Sequence, residues 1–133
     1  MRLLVLDTNV LVSALLVPGS PPSRVLQGFR DGDWSLAVSG TILDEYARVL
    51  ARERLGLPRR LVTGILEEIE GKAFKVIPSR RFAAVPEDPS DEEFLDVAVE
   101  ARVEAVVSGD RHLLALESFR GIPILTPVRF LER

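Results

Sequence analysis

The run Leu3-Leu4-Val5-Leu6, followed directly by Asp7, decides the fold of this chain. A short run of apolar residues without polar alternation is typical of a strand buried on both faces, and such strands belong to parallel sheets covered by helices. Thr8 is predicted to cap a following helix that buries Val10 and Leu11. The segment therefore predicts a strand that leads into a helix, with an acid where the strand ends.

Further along the chain, apolar runs alternate with helical patterns. The predicted strands cover residues 3–6, 34–39, 74–77, 105–108 and 122–125. The predicted helices begin at Thr8, cover about 23–31, 39–54 and 58–71, begin again at Ser90 with Glu93 as a capping box, and end with a short helix that carries Leu113 and Leu114. Strands separated by helices predict right-handed crossovers and a parallel sheet with helices on both sides.

The composition indicates a single globular domain over residues 1–133, because 47% of the residues are hydrophobic and can bury a substantial core. The chain has no Cys and a single histidine, His112, which excludes disulfide frameworks, zinc fingers, thiol nucleophiles and His-rich metal sites. No apolar stretch approaches the roughly 18 residues of a membrane-spanning helix, and no signal-peptide pattern is present. We expect a cytoplasmic protein with no membrane association.

Two acids follow predicted strands. Asp7 comes directly after the first strand, and Asp110 comes two residues after the fourth. Because open α/β sheets bind ligands beyond the carboxyl ends of their strands, both acids are expected at such a site. The alternative role for each is a helix N-cap, which Asp supplies well.

Helical angles separate Glu45 from its neighbour Asp44. At about 100° per residue, Asp44 lies nearly opposite the buried stripe of the predicted helix, while Glu45 lies at the edge of that stripe. Glu45 is therefore predicted to reach the sheet edge and Asp44 to face water. The alternative for Glu45 is an exposed ion pair with Arg48 or Arg52, which would stabilise the helix only weakly.

The same reasoning selects Asp91 in the helix that begins at Ser90, because Asp91 shares its face with Phe94 and Leu95. A carboxylate aligned with an apolar stripe needs a partner. Its alternative role is a favourable interaction with the helix dipole in the first turn. The outward row is predicted to contain Glu92, Asp96 and Glu100.

Convergence of acids from separate segments would create repulsion in a partly dry pocket unless cations intervene. Oxygen ligands favour Mg²⁺ or Mn²⁺, which can lower the pKa of a bound water and offset charge on a phosphodiester during in-line attack. The sequence thus predicts a divalent-metal site at one edge of the sheet. The acids expected there are Asp7, Glu45, Asp91 and Asp110.

Together, these acids and the residues around them resemble the PIN-domain nucleases, in particular the VapC-related toxins of bacterial and archaeal toxin–antitoxin systems. The resemblance runs from about residue 2 to about residue 130, and it implies a three-layer α/β/α sandwich with a central parallel sheet of about five strands. The matching segments are LDTNVLVSA at 6–14, Glu45 in the helix after Val38 and Ser39, DPSDEEFL at 88–95, and VSGDRHLL at 107–114.

The resemblance also assigns residues. Asn9 and Ser108 match polar positions that often support the acidic site, with Ser108 where Thr is common. Two departures add or remove charge: Glu92 and Glu93 stand where Asn and Lys are frequent, and His112 stands where an acid is common. The residues that match the acidic quartet, as catalytic and metal-binding positions, are Asp7, Glu45, Asp91 and Asp110.

Basic residues are concentrated in the second half of the predicted third helix and in the segment that follows it. Residues 46–62 contain five Arg against Glu53 alone, a local charge of +4, whereas residues 87–104 carry −7 and so account for the net −3 of the chain. We expect this cluster to guide an RNA backbone, the alternative being a solvated helical face. The arginines predicted to contact RNA are Arg52, Arg54, Arg59 and Arg60.

The leading hypothesis is a divalent-metal-dependent endoribonuclease that hydrolyses RNA phosphodiester bonds with Mg²⁺ or Mn²⁺. The resemblance further implies the toxin of a toxin–antitoxin pair, with a cognate antitoxin protein and a homodimeric state. One alternative is a catalytically inert RNA- or protein-binding module of the same fold. Another is a phosphotransfer domain with Asp7 as nucleophile, but that chemistry usually needs a second acid two residues on, where this chain has Asn9.

The remaining conspicuous residues are given structural roles. His112 is interpreted as a surface or packing residue, because cation-assisted hydrolysis needs no histidine base. Asp88 and Asp96 are interpreted as solvated loop and helix positions, with support of the acidic site as the alternative. Phe29 and Trp34 are predicted to be core residues.

Overall fold

A computed structural model describes residues 2–84 and 89–133, with only the backbone of residues 89 and 90. Six strands form one sheet, flanked by helices. The strands are Leu3–Leu6 (β1), Ser35–Val38 (β2), Phe74–Lys75 (β3), Ala105–Val107 (β4), Ser118–Phe119 (β5) and Ile122–Leu125 (β6). The helices are Thr8–Leu16 (α1), Pro21–Asp31 (α2), Gly40–Leu50 (α3), Arg59–Lys72 (α4), Pro89–Ala101 (α5), Arg111–Leu114 (α6) and Pro127–Leu131 (α7), with a 3₁₀ turn at Glu53–Leu55.

The strands lie in the order β3-β2-β1-β4-β6-β5, and every neighbouring pair is parallel except β5 and β6. The predicted α/β fold, with helices flanking a mostly parallel sheet, is confirmed. The predicted parallel sheet of about five strands is extended at one edge by β5, a sixth and antiparallel strand that the sequence did not predict.

The extra strand results from a two-residue turn. Arg120 and Gly121 connect β5 to β6 with φ values of 51° and 82°. Positive φ at both central positions is typical of the hairpin turn that matches the twist of the strands. A strand of two residues carries no periodic pattern, so the sequence predicted only β6.

The topology places the ends of β1 and β4 side by side. The chain leaves β1 towards β2 on one side and later returns to β4 on the other, so the strand order reverses between β1 and β4. Leu6 pairs with Val107, and the Asp7 N–H donates a 3.0 Å hydrogen bond to the Val107 carbonyl. This is the position in an open α/β sheet where ligands bind.

Three predicted helix ends differ from the structure. Asp7, and not Thr8, caps α1. Helix α3 stops at Leu50 instead of continuing to about residue 54, and the 3₁₀ turn that follows ends at Gly56, which has a φ of 64°. Helix α5 begins at Pro89; the proposed capping box involves the Ser90 side chain, which lies outside the described residues.

The core predictions for Phe29 and Trp34 agree with the structure. Phe29 is buried, and the Trp34 ring packs edge-on against Phe130 with 4.9 Å between ring centroids. Gly28 allows this packing, because a Cβ at that position would lie 2.0 Å from the indole. In the described part of the chain, no helix is long and apolar enough to cross a membrane.

Candidate active site

The four predicted acids line a single cavity of about 280 Å³ beyond the ends of β1 and β4. They come from four segments, because Asp7 follows β1, Glu45 lies in α3, Asp91 lies in α5 and Asp110 follows β4. The fold therefore brings together the carboxylates that the sequence suggested. The other residues that line this acidic cavity are Thr8, Asn9, Arg48, Val49 and Arg52.

Asp7 is buried and fixed at both carboxylate oxygens. The backbone N–H of Asn9 donates to Oδ1 at 3.3 Å, and the Ser108 hydroxyl donates to Oδ2 at 2.6 Å. The Ser108 hydroxyl also accepts from the Asp110 N–H at 2.9 Å. Ser108 thus links the two acids that follow β1 and β4, and the Asn9 side chain is exposed at the cavity rim.

Asp110 caps α6 and also faces the acidic cavity. Its Oδ1 accepts from the His112 N–H at 2.7 Å and the Leu113 N–H at 3.2 Å. No described residue donates a hydrogen bond to its Oδ2. Capping and a role in the cavity are therefore compatible, because the cap occupies one oxygen and sets the direction of the other.

Glu45 is largely buried, whereas Asp44 is exposed, as the helical angles predicted. The Thr8 hydroxyl donates a short hydrogen bond to Glu45 Oε2, and the Arg48 guanidinium lies 3.9 Å from Oε1. Thr8 is a site residue that the sequence analysis missed. Its contact with Glu45 spans 37 residues, so the pattern around Thr8 gave no signal for it.

Next to Glu45, Tyr46 ties α3 to the end of β1. Its buried hydroxyl donates a 2.6 Å hydrogen bond to the Leu6 carbonyl, one residue before Asp7. Burial, with added repulsion from Asp7 and Glu45, raises the pKa of this hydroxyl above its ordinary value. Tyr46 is thus held as a neutral donor that fixes the backbone carrying Asp7.

Asp91 is buried in the first turn of α5, with Phe94 and Leu95 also buried on that helix. The prediction that Asp96 faces solvent is wrong, because Asp96 is only 3% exposed. The extended segment before α5 covers it: the Phe82 N–H donates to Asp96 at 3.1 Å, and Arg81 lies 3.5 Å away.

The charge of the acidic cavity affects the pKa of Asp7. Burial raises the pKa of Asp7, the bonds from Ser108 and the Asn9 N–H oppose this effect, and repulsion from Asp110 and Glu45 raises the pKa further. Without a cation Asp7 thus holds its negative charge at a cost.

The donor set fits Mg²⁺ or Mn²⁺. Carboxylate oxygens are the ligands these hard cations prefer, and a cation would offset the repulsion felt by Asp7. As they stand, no three acidic or histidine side chains in residues 2–84 and 89–133 are gathered closely enough to hold one ion together. The fit therefore rests on the donor chemistry and on the charge of the cavity.

The raised pKa of Asp7 gives a prediction for the metal-free protein. As pH rises from the ordinary aspartate value of 3.8 to the raised one, native Asp7 keeps a proton that the unfolded chain has lost. The free energy of unfolding of the wild type, relative to Asp7→Asn, should therefore fall across this range. Urea unfolding in EDTA from about pH 4 to about pH 8 measures the difference. A difference that rises with pH, or does not change, contradicts the prediction.

The basic cluster divides between two cavities. Arg52 lines the acidic cavity and also a neighbouring one, and Arg59 lines only the neighbouring one. Arg54 and Arg60 are exposed and line neither of these two cavities. Arg48, at the rim of the acidic cavity, belongs to the same run of basic residues.

His112 and Arg81 do not line the acidic cavity. His112 is 37% exposed at its side chain, with Nδ1 3.8 Å from Asp110 Oδ1. Arg81 forms a 2.7 Å ion pair with Glu93, so it holds the segment before α5 in place. Asp88 lies outside the described residues.

Comparison with known proteins agrees with this geometry. Residues 3–112 match the PIN domain family. The chain belongs to this family, whose members are generally nucleases. It is also 30% identical over 116 residues to an uncharacterized protein of Methanocaldococcus jannaschii, an alignment that covers 84% of this chain and 73% of that protein.

Proposed function

We propose that this protein is a divalent-metal-dependent endoribonuclease that hydrolyses RNA. The observation that carries the proposal is the meeting of four carboxylates from separate segments in one cavity, with Arg48 and Arg52 at its rim. The carboxylates suit a cation, and the arginines suit the phosphates of a nucleic-acid strand. The preference for RNA rests on the sequence resemblance to the VapC-related toxins.

Asp7, Asp91 and Asp110 are proposed to hold Mg²⁺ or Mn²⁺, with Glu45 as a further ligand or as the group that orients the attacking water. When bound, such a cation activates water and offsets the negative charge that develops on the phosphate. The site geometry comes from the protein. Ser108 fixes Asp7, the α6 cap fixes Asp110, and Thr8 fixes Glu45.

The reaction proposed is in-line attack of water on phosphorus. A new P–O bond forms from the water oxygen, which releases a proton to solvent, and the P–O3′ bond breaks as O3′ takes up a proton from solvent. The products are a 5′-phosphate and a 3′-hydroxyl. We propose that Glu45 accepts a hydrogen bond from the water through Oε1, since the Thr8 hydroxyl bonds to Oε2. Arg48 and Arg52 supply positive charge for the phosphates on the side of α3.

Cleavage within a strand, and not only at its end, is supported by cavities on both sides of the acidic one. A cavity of about 250 Å³ shares Asn9 with it, and a cavity of about 260 Å³ shares Arg52. A strand bound across the acids could therefore continue in both directions. This arrangement suits an endonuclease.

The cellular role proposed is that of the toxin of a toxin–antitoxin pair acting in the cytoplasm, with a cognate antitoxin and a homodimeric state. Support comes from the four matching sequence segments, and the family itself establishes only the nuclease module. A small gene overlapping this one or directly upstream, whose product binds the protein and inhibits RNA cleavage, would establish the pair.

The neighbours Glu45 and Asp44 provide a matched test of catalysis. We expect Glu45→Gln to lower the rate of RNA cleavage by about 10²-fold, because the charge beside the water is lost, while the exposed Asp44→Asn keeps wild-type activity. The assay follows a labelled RNA with Mn²⁺ or Mg²⁺, with EDTA as the blank, and identifies the product ends.

Equal activity of Glu45→Gln and wild type would remove Glu45 from the mechanism. RNA that binds but is not cut by the wild type with either cation would instead indicate the inert binding module. Cleavage that survives EDTA would contradict metal dependence.

A further inference from the structure

A second cavity lies beside the acidic one, at the end of α3. It has a volume of about 260 Å³ and adjoins the acidic cavity at Arg52, which lines both. Arg59, the first residue of α4, lines it from the other side. We call it the Arg52–Arg59 cavity.

The Arg52–Arg59 cavity combines apolar surface with exposed positive charge. Ala51 is exposed and Leu57 is partly exposed, and they supply apolar surface next to the buried side chains of Leu50 and Val62. Arg52 and Arg59 are exposed at its margin. An apolar surface beside guanidinium groups suits a planar base attached to a phosphate, because bases stack on such surfaces and arginines bind phosphate oxygens.

Arg52 and Arg59 are also available to bind phosphate. Among the residues that the structure describes, neither Arg52 nor Arg59 forms an ion pair, whereas Arg2, Arg30 and Arg81 each contact a carboxylate within 3.0 Å. Positive charge that is not paired within the protein, at a cavity that adjoins the acidic one, is complementary to the next phosphate of a bound strand.

We propose that the Arg52–Arg59 cavity binds the nucleotide adjacent to the scissile phosphate. The base lies on the apolar surface, Arg52 contacts the backbone between the two cavities, and Arg59 binds the following phosphate. The proposal rests on the proposed function, since it takes the acidic cavity as the place of the scissile phosphate. It makes this cavity the source of base preference next to the cleaved bond.

Binding without cleavage tests the cavity by itself. A fluorescein-labelled oligoadenylate of about twelve nucleotides is titrated in EDTA, and anisotropy reports the affinity. We expect Ala51→Leu, which fills the cavity and changes no charge, and Arg59→Ala to weaken binding by about 10-fold each. Arg60→Ala is the matched control, because it removes the same charge one residue away and Arg60 does not line the cavity.

The salt dependence of the affinity separates the contribution of phosphate contacts from that of base stacking. Arg59→Ala should reduce the slope of log K against log salt by about 0.7, the value for one phosphate contact on a single strand, while Ala51→Leu leaves the slope unchanged. Equal losses in Arg59→Ala and Arg60→Ala would overturn the proposal, because they would indicate diffuse attraction. Wild-type affinity of both Ala51→Leu and Arg59→Ala would overturn it too.

Cleavage of an RNA with one abasic position tests whether the nucleotide in the Arg52–Arg59 cavity is the one next to the cleaved bond. With Mn²⁺, removal of the base next to the cleaved bond should raise KM for the wild type by about 10-fold with little change in kcat, and should have no further effect in Ala51→Leu. The same increase in KM for the wild type and for Ala51→Leu would overturn the assignment of this cavity to the nucleotide next to the cleaved bond. If no RNA is cut while the binding pattern holds, the proposed function fails and the cavity remains an RNA site. Melting temperatures confirm that each variant is folded.

Discussion

Asp7→Asn is expected to lower kcat for RNA cleavage by about 10³-fold or more. Asp7 lies at the centre of the site, because its carboxylate is buried, bonded to Ser108 and close enough to Asp110 and Glu45 to feel their charge. The substitution removes one negative charge from the proposed cation ligands at almost constant volume. Cation-assisted charge stabilisation amounts to several kcal/mol, which corresponds to a factor of this size. Single-turnover cleavage of a labelled RNA at saturating Mn²⁺ measures the effect.

The fold should survive this change. Asn is as good an N-cap as Asp, so the bond from the Asn9 N–H to position 7 can persist. Burial and repulsion raise the pKa of Asp7, so the metal-free protein loses nothing by replacing a costly charge with an amide. Circular dichroism and the melting temperature in EDTA check the fold, and the exposed Asp44→Asn serves as the activity control. Activity of Asp7→Asn within about tenfold of wild type would place the chemistry elsewhere.

Mn²⁺ is expected to raise the melting temperature of the wild type by roughly 10 °C at saturation. A ligand at about 100 times its Kd that binds only the folded state adds about 2.7 kcal/mol, and a domain of this size gains a few degrees per kcal/mol. The gain arises because the cation offsets the repulsion among Asp7, Glu45 and Asp110 that the metal-free fold contains. Differential scanning fluorimetry at neutral pH over a Mn²⁺ titration gives both the shift and the affinity.

The double variant Asp7→Asn/Asp91→Asn is the control, because it removes two buried carboxylates that line the acidic cavity. It should show no Mn²⁺-dependent shift. An equal shift in the double variant would mean that Mn²⁺ binds elsewhere, and no shift in the wild type would contradict a convergent cation site.

Much of the fold could be predicted from local patterns. Strands β1 and β4 are buried on both faces, and such strands appear as continuous apolar runs with an acid or a glycine at the end. Strand β5 could not be predicted, because its two residues pair only through the turn at Arg120 and Gly121. A hairpin of this kind depends on backbone angles more than on a hydrophobic pattern.

The acids were also accessible to sequence reasoning, each for a different reason. Asp7 and Asp110 were selected by their place after strands, and Glu45 was separated from Asp44 by helical angle. Asp96 was assigned to solvent because its helical angle placed it in an outward row. The structure buries it under Arg81 and the Phe82 backbone, a contact that the periodicity of one helix does not contain.

The sequence by itself determined the alternation of strands and helices, and the position of each acid at a strand end or on one face of a helix. These properties depend on residue type and on spacing within one element. Tertiary structure alone decided which hydroxyl serves which carboxylate, with Ser108 on Asp7 and Thr8 on Glu45, and that Arg52 joins two cavities. The physical reason is that hydrogen bonds and cavities are made by groups far apart in the chain, whose distances are fixed only when the core packs.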